Sequence, residues 1–545
     1  MVKPILTTNL KPNILVLLTA ALLAPLAVVL GHFAIPELAI WQHLIDTVLA
    51  SYVINSVILA LGVALGTLLL GTLTAWLMSH YSFAGRGVLR VALLLPLAMP
   101  AYIIAYSYTG LLDVSGPVQQ LLREVFAWRV GDYWFPQVRS LPSAIILMSL
   151  VLYPYVYILA RTAFSEQSAS MREVARIHGY TSVKYLFKVS IPLARPALFT
   201  GAALAMMESL ADYGTVQFFG INTFTTGIFR SWYAMGSRTT AIQLAGLLSL
   251  FVLVLLVFEQ HSRRRLKYFQ QSIVKPSTRT VLSGWRNVLV SACCFLPFIL
   301  GFLIPSIQLL IWASMTLDHV VWADYWQLVS ATFGLALTTA AIVVLIATLF
   351  SYQNRWVASA FSRWQVRLLS LGYALPGMVI AVGALIVLGW FDGLINNVVH
   401  AITGEYVGLI LSGTILALVF CYCIRFMSVA LQNTEAGMQR IKPSLDEAAQ
   451  TMGASRSELL RRIHLPLLRA SLLSAGLLVF VDVLKELPAT LVLRPFNFNT
   501  LAVRAYEMAS DERLFDAALP ALTIVAVSIV PIFLITKTID NKSEG

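Results

Sequence analysis

The chain has 545 residues, of which 58% are hydrophobic and only 12% charged, with a formal net charge of +12. A soluble domain carries about 25% charged residues, so the composition excludes an ordinary water-soluble enzyme or binding module. The excess of Lys and Arg does not require nucleic acid as a partner, because in a membrane chain it serves topology.

Apolar runs close to the ~20 residues needed to cross the hydrocarbon core recur along the whole length. Twelve are read, at roughly 13–34, 52–78, 88–111, 141–160, 197–217, 239–258, 288–313, 330–352, 368–390, 407–430, 470–493 and 517–536. The first, "NILVLLTAALLAPLAVVLGHFAI", is longer than the apolar part of a secretory signal and ends without a small-x-small cleavage site, so a retained helix is expected. Segments 35–51, 315–328 and 391–406 contain no Lys or Arg. The alternate connections carry Arg86 and Arg90, Arg161 to Arg195, Arg355 to Arg367, and Arg440 to Arg469. The positive-inside rule then puts both termini and every basic connection in the cytoplasm. Loops 112–139, 218–237 and 494–513 do contain arginines, and long loops are translocated despite charge.

Residues 172–192 read "REVARIHGYTSVKYLFKVSIP", polar and charged between two apolar runs. Beyond the sixth run, residues 259–287 hold seven Lys or Arg, no acid after Glu259 and no spanning-length apolar run. They read as a cytoplasmic linker between two six-helix halves, 1–258 and 288–545. The second half then repeats the first. Glu173, Ala175, Gly179, Pro192, Leu193, Arg195, Leu204, Thr226 and Arg230 recur 274 positions later as Glu447, Ala449, Gly453, Pro466, Leu467, Arg469, Leu478, Thr500 and Arg504. Upstream, "AMPAYIIA" at 98–105 resembles "ALPGMVIA" at 374–381, with an offset of 276. Six spans per half is an even number, so the repeats enter the membrane in the same direction and imply a pseudo-twofold axis along its normal. The expected fold is an all-α polytopic membrane protein of about twelve transmembrane helices in two parallel repeats.

The second cassette, "DEAAQTMGASRSELLRRIHLP" at 446–466, predicts a helix, a glycine turn and a second helix. Acidic residues suit the first turn of a helix, Ala448 and Ala449 are strong helix formers, and Gly453 suits a helix stop. A second short helix is expected to end at Pro466, since the residue before proline is disfavoured in the α region. A single such stretch would read as a plain surface connection. Two copies that agree in Glu, Gly and Pro call for a shared function.

Glu-Ala-Ala, a Gly six residues after the Glu and Leu-Pro thirteen after the Gly resembles the EAA loop of permeases in bacterial ATP-binding-cassette (ABC) importers. Loops 164–196 and 434–469 are the two copies; the first departs from the pattern with Val174 for the first Ala. The resemblance implies a type I permease fold and a coupling helix in each loop that docks a cytoplasmic ATPase. The docking residues are then Glu173, Ala175, Gly179 and Pro192, and Glu447, Ala448, Ala449, Gly453 and Pro466. It further implies two copies of that ATPase, a periplasmic substrate-binding protein and the lipid of a bacterial inner membrane as partners. No phosphate-binding Gly-x-x-x-x-Gly-Lys-Ser/Thr loop occurs in the chain. No cofactor is therefore expected here, with ATP and Mg on the partner, and the chain is expected not to be an enzyme. Stretches 208–233 and 482–506 look like the fused two-half permeases of ferric-iron importers; fused thiamine and aminophosphonate permeases are built alike.

Glu208 and Asp212, and their counterparts Asp482 and Glu486, are expected four apart on one helix face inside the membrane. A carboxylate at the centre of a span costs about 2.5–3.5 kcal/mol on insertion scales, so each should face the interior or a watery path. Two readings stand. Either the four line a passage for a cation, where hard Fe³⁺ prefers oxygen ligands, or they fix helix packing, with Lys485 neutralising its neighbours. An ion-coupled carrier relaying protons would use the same carboxylates but leaves the duplicated cassette without a role. Cys293, Cys294, Cys421 and Cys423 read as packed residues inside spans rather than metal ligands. So do Tyr153, Tyr155 and Tyr157 of "YPYVY", as packing or interfacial groups, and no metal site is assigned.

Overall fold

The computed structural model describes residues 12–34, 38–167, 169–264, 279–356 and 359–541. Part of the expected linker, 265–278, lies outside the described residues. Among the described residues, eleven helices are long and apolar enough to cross a membrane, and a bent pair, Arg86–Ala98 with Ala101–Phe126, makes a twelfth candidate. They follow the twelve predicted runs in order. The chain is a multi-pass, all-α membrane protein, and among the described residues its one sheet is a two-residue parallel pairing of Tyr81–Ser82 with Thr280–Val281.

The third run is not one straight helix. Its two parts meet at 93°, where Met99 is extended (φ −92°, ψ 111°) and Pro100 opens the helix Ala101–Leu112. Proline has no N–H to donate and disfavours the α region for the residue before it. The second repeat breaks in the same way: Leu375 is extended (φ −79°, ψ 136°) and Pro376 precedes the helix Gly377–Thr403. The matching "AMPAYIIA" and "ALPGMVIA" stretches are thus a repeated break.

Packing divides the chain into two compact units that do not follow the sequence repeats. One takes its described residues from Met1–Glu37, Ser231–Ser249 and Val321–Val503, the other from Leu38–Arg230, Leu250–Val320 and Arg504–Gly545. In the first unit, the helix Pro12–Gly31 lies along Gly377–Thr403. The contact is close because Gly383 has no side chain: a Cβ there would stand 2.5 Å from the Pro25 carbonyl oxygen. Gln365 Nε2 donates to Thr19 Oγ1 at 3.1 Å and Gln243 Nε2 to the His32 carbonyl at 3.1 Å, fastening the same helix.

The second unit is built on Leu49–His80, Leu141–Ser165 and Ile191–Ala211, with Cys294 of Gly284–Phe298 in the same core. Glycines again set the spacing. A Cβ on Gly71 would lie 2.9 Å from the Tyr153 carbonyl oxygen, and one on Gly201 2.6 Å from the Val156 Cα. Lipid chains are as apolar as leucine, so helices in a bilayer gain from close contact rather than from escaping solvent, and small residues permit it. Tyr153 and Tyr157 are buried in this core, as are Cys294, Cys421 and Cys423 in theirs, in line with the packing reading.

Candidate functional site

Each cassette opens with a short helix, Ala169–Ile177 in the first and Pro443–Thr451 in the second. Gly179 (φ +70°) and Gly453 (φ +82°) follow in the left-handed region, which L side chains adopt at a cost. Gly179 N–H donates to the Arg176 carbonyl at 2.9 Å and Tyr180 N–H to that of Ala175 at 2.9 Å. The second copy repeats the pattern, with Gly453 to Gln450 at 3.0 Å and Ala454 to Ala449 at 3.0 Å. This pair of bonds is the Schellman closure of a helix end. Thr181 and Ser455 then cap the next helix, the latter in a full capping box with Glu458.

The repeat-matched positions also agree in burial. Ala175 and Ala449 are each 8% exposed, while Glu173, Glu447 and Ala448 face outward. Ile177 and Met452 stand at 83% and 86% exposed beside them. Each cassette therefore exposes a carboxylate and an apolar side chain.

The expected stop at Pro466 does not occur, and no helix stops at Pro192 either. The second helix of each cassette continues through a π-helical turn, Leu186–Ser190 or Leu460–His464, into Ile191–Ala211 or Leu465–Leu484. Each proline sits in the first turn of the long helix. Its ring would meet the carbonyl four residues back in a regular helix; the wider turn, with bonds to the fifth residue, removes that collision.

The first helices of the two cassettes are anchored differently. In the second cassette Asp446 is buried, and its two carboxylate oxygens accept from His464 Nε2 and Arg355 Nε, both at 2.7 Å. Arg355 also donates to the Met438 and Ile441 carbonyls at 2.8 and 3.0 Å. In the first cassette the 274 offset places Arg172 opposite Asp446, and Arg172 Nη2 donates to Thr280 Oγ1. Burial pushes the Arg172 guanidinium below its ordinary pKa, and Arg176 beside it acts in the same direction. None of Asp446, Arg355 or His464 was singled out by the sequence. Asp446 reads there as a favourable charge in the first turn, and nothing local tells that it is buried.

The four intramembrane carboxylates do not form two i, i+4 pairs on helix faces. Glu208 and Asp482 lie within Ile191–Ala211 and Leu465–Leu484 and are half-buried. Asp212 and Glu486 lie beyond those helices, where the predicted fifth spans break into the short helices Gly214–Phe218 and Pro488–Leu493. Asp212 accepts from the Thr215 and Val216 N–H groups at 3.0 and 3.2 Å and from the Thr215 hydroxyl at 3.0 Å. Glu486 accepts from the Ala489 and Thr490 N–H groups at 3.1 Å each and from the Thr490 hydroxyl at 3.0 Å. A helix start inside a membrane exposes N–H groups that water cannot satisfy, and an acidic side chain just before it supplies the acceptor.

The second repeat adds a cation. Arg425 Nη1 is 3.6 Å from Glu486 Oε1, with Tyr422 bonded to Thr490 at 2.5 Å beside it. A Cβ on Gly377 would collide with both charged groups, so the break at Pro376 delivers the one residue small enough for that place. The sequence signal was present in "CYCIRFM": a lone Arg in an apolar run requires a carboxylate partner. Asp482 is paired with Lys485 at 2.8 Å, whereas the 274 offset gives Glu208 an alanine, Ala211, at the corresponding position. Among the described residues, no three His, Cys, Asp or Glu side chains gather as a metal site.

The chain is a helical membrane protein with two surface cassettes of matching sequence, each continuous with a broken fifth span. The chain belongs to the family described as the binding-protein-dependent transport system inner membrane component, whose model matches residues 68–268 and 356–543. It is 24% identical over 496 residues to the Fe(3+)-transport system permease protein FbpB 2 of Haemophilus influenzae, covering 90% of each chain. Over 155 residues it is 27% identical to the putative molybdenum transport system permease protein YvgM of Bacillus subtilis, covering 28% of this chain and 65% of that one. Over 517 residues it is 23% identical to the probable ABC transporter permease protein y4fN of Sinorhizobium fredii, covering 88% of this chain and 85% of that one. The chain is thus an ABC importer permease with both halves fused.

Proposed function

We propose that this permease passes ferric iron from a periplasmic binding protein to the cytoplasm, driven by two copies of a separate ABC ATPase. The ATPases dock on the helices Ala169–Ile177 and Pro443–Thr451 and carry the ATP and Mg, so this chain makes and breaks no substrate bonds. The observation that carries the reading is the duplicated cassette, in which exposed Glu, buried Ala and left-handed Gly recur at matched positions. Both termini and both cassettes lie on the cytoplasmic side of a bacterial inner membrane, as the distribution of Lys and Arg favours.

Iron is preferred because the relative named for Fe(3+) transport aligns over 90% of both chains, whereas the one named for molybdenum aligns with 28% of this chain. A passage for a hard cation would use Glu208 and Asp482, which retain exposure. Asp212 and Glu486 have their oxygens committed to backbone N–H groups. The test is uptake into proteoliposomes holding the permease, its copurifying ATPase and the cognate binding protein. Ferric iron is expected to accumulate only with ATP; accumulation of molybdate instead, or uptake driven by a proton gradient alone, overturns the reading. Glu208→Gln and Asp482→Asn together are expected to cut uptake per folded complex at least several-fold without lowering Tm. Normal uptake in that double variant removes the carboxylate passage and leaves the importer assignment intact.

A further inference from the structure

The two docking helices match in sequence position and burial, yet their anchors do not correspond. Pro443–Thr451 is held from within its own repeat, by the buried Asp446 between Arg355 and His464. At the position of Asp446 the first repeat has Arg172, and at the position of His464 it has Ser190. Neither of these can form the same ion pair. Arg172 instead donates to Thr280, which lies within the linker between the halves, 259–287.

Residues 280–291 are fixed to the same surface by a run of contacts. Thr280–Val281 pairs in parallel with Tyr81–Ser82, and Leu282 N–H donates to the Ser82 carbonyl at 3.0 Å. Asn287 Oδ1 accepts from Ala84 N–H at 2.9 Å, and Ser291 Oγ donates to the Ala84 carbonyl at 2.9 Å. Tyr81 and Arg172 also share the lining of a cavity of about 20 Å³ beneath the docking helix, with Trp76, His80, Ala175 and Tyr185. A space of that size has room for one water. The helix therefore shares this cavity with the end of Leu49–His80 and is tied to the strand Thr280–Val281 through Arg172.

We infer that residues 280–282 are a structural part of the first ATPase-docking surface, holding Ala169–Ile177 in place through Arg172, and that the two docking sites are consequently unequal. The inference rests on the docking reading above and adds a residue-level difference between its two sites. The buried charge of Asp446 fixes the second helix rigidly. A strand two residues long, itself part of the linker, fixes the first more weakly and makes its position responsive to the connection between the halves.

The test uses full-length permease in nanodiscs with a single reporter thiol, introduced as Ile177→Cys or Met452→Cys and titrated with the copurifying ATPase subunit. Protection from maleimide reports occupancy of each site, with background labelling taken from the parent chain. Thr280→Val removes the hydroxyl that accepts from Arg172 while keeping the shape. Leu282→Pro removes the N–H bonded to Ser82; if it fails to insert, Thr280→Val decides alone. Both are expected to shift protection of the first-cassette thiol to about tenfold higher ATPase concentration, the scale of a lost hydrogen bond to a charged group. Protection of the second-cassette thiol should stay unchanged, and Asp446→Asn is expected to do the reverse. Unchanged protection of the first-cassette thiol, or an equal shift at both thiols in Thr280→Val, overturns the inference while the docking reading stands. Absence of protection at both thiols without any further substitution overturns the docking reading, and the inference falls with it.

Discussion

Gly453 shows at the scale of one residue how backbone geometry shapes the second cassette. Its φ of +82° and the two bonds that close the helix behind it end the helix Pro443–Thr451 and turn the chain into the next one. Proline is locked near −65° and has no N–H to give to Gln450. Gly453→Pro is therefore expected to insert normally but to lose ATPase association and uptake; wild-type copurification with normal uptake would contradict this. The buried pair of Arg425 and Glu486 makes a second residue-scale prediction. Removing one partner of such a pair costs about 3–5 kcal/mol, because the other charge stays buried, while replacing both with groups of similar volume is far milder. Arg425→Met should lower Tm in detergent substantially, and Arg425→Met with Glu486→Gln should recover most of the loss. A double variant no more stable than Arg425→Met would show that the charge left behind is not the cause.

At the scale of elements, the breaks follow from the bilayer as solvent. A helix interrupted in hydrocarbon leaves N–H groups that must find acceptors in the protein. Asp212 answers this for Gly214–Phe218, and Glu486 for Pro488–Leu493. A side-chain oxygen at a helix start is worth roughly 0.5–2 kcal/mol, and Asn serves there about as well as Asp. Asp212→Asn is thus expected to keep Tm near that of the parent, and Asp212→Ala to lower it, with transport per folded molecule retained in both. A large transport defect in Asp212→Asn with unchanged Tm would instead give the charge a role in the passage. The π-helical turns before Pro192 and Pro466 belong to the same scale: they let a proline enter a continuous helix, so each cassette is joined rigidly to a spanning helix.

For the whole molecule, the exchange of segments between the compact units bears on how the halves are joined. The helix Pro12–Gly31 packs with Gly377–Thr403, and Gly284–Phe298 packs in the core of Leu49–His80. Two fragments cut within 265–278 share these contacts without a covalent link. Co-expression of 1–270 with 271–545 is expected to give an active permease, because the second fragment keeps the strand Thr280–Val281. Fragments starting at residue 284 should assemble but couple poorly through the first cassette. Both pairs inactive while present in the membrane would contradict this, as would full activity of the shorter pair.

The number and order of the spans, the duplication and the position of each cassette were legible in the amino-acid sequence. These are local properties: a run of apolar residues either reaches across the hydrocarbon or does not, and a glycine after a short helix marks its end wherever the chain goes next. The breaks at Pro100 and Pro376 were not legible: the repeated motif around each proline lies inside a run long enough to be read as one span. Which spans pack together emerged only on folding, because lipid is as apolar as the helices and hydropathy holds no information about partners. The roles of the charges emerged there too. Asp446 meets Arg355 from 91 positions away and His464 from 18, while Arg172, matched to Asp446 by the repeat, meets Thr280 from 108. A carboxylate in sequence has a charge but no partner, and its partner is chosen by the folding of segments far apart in the chain.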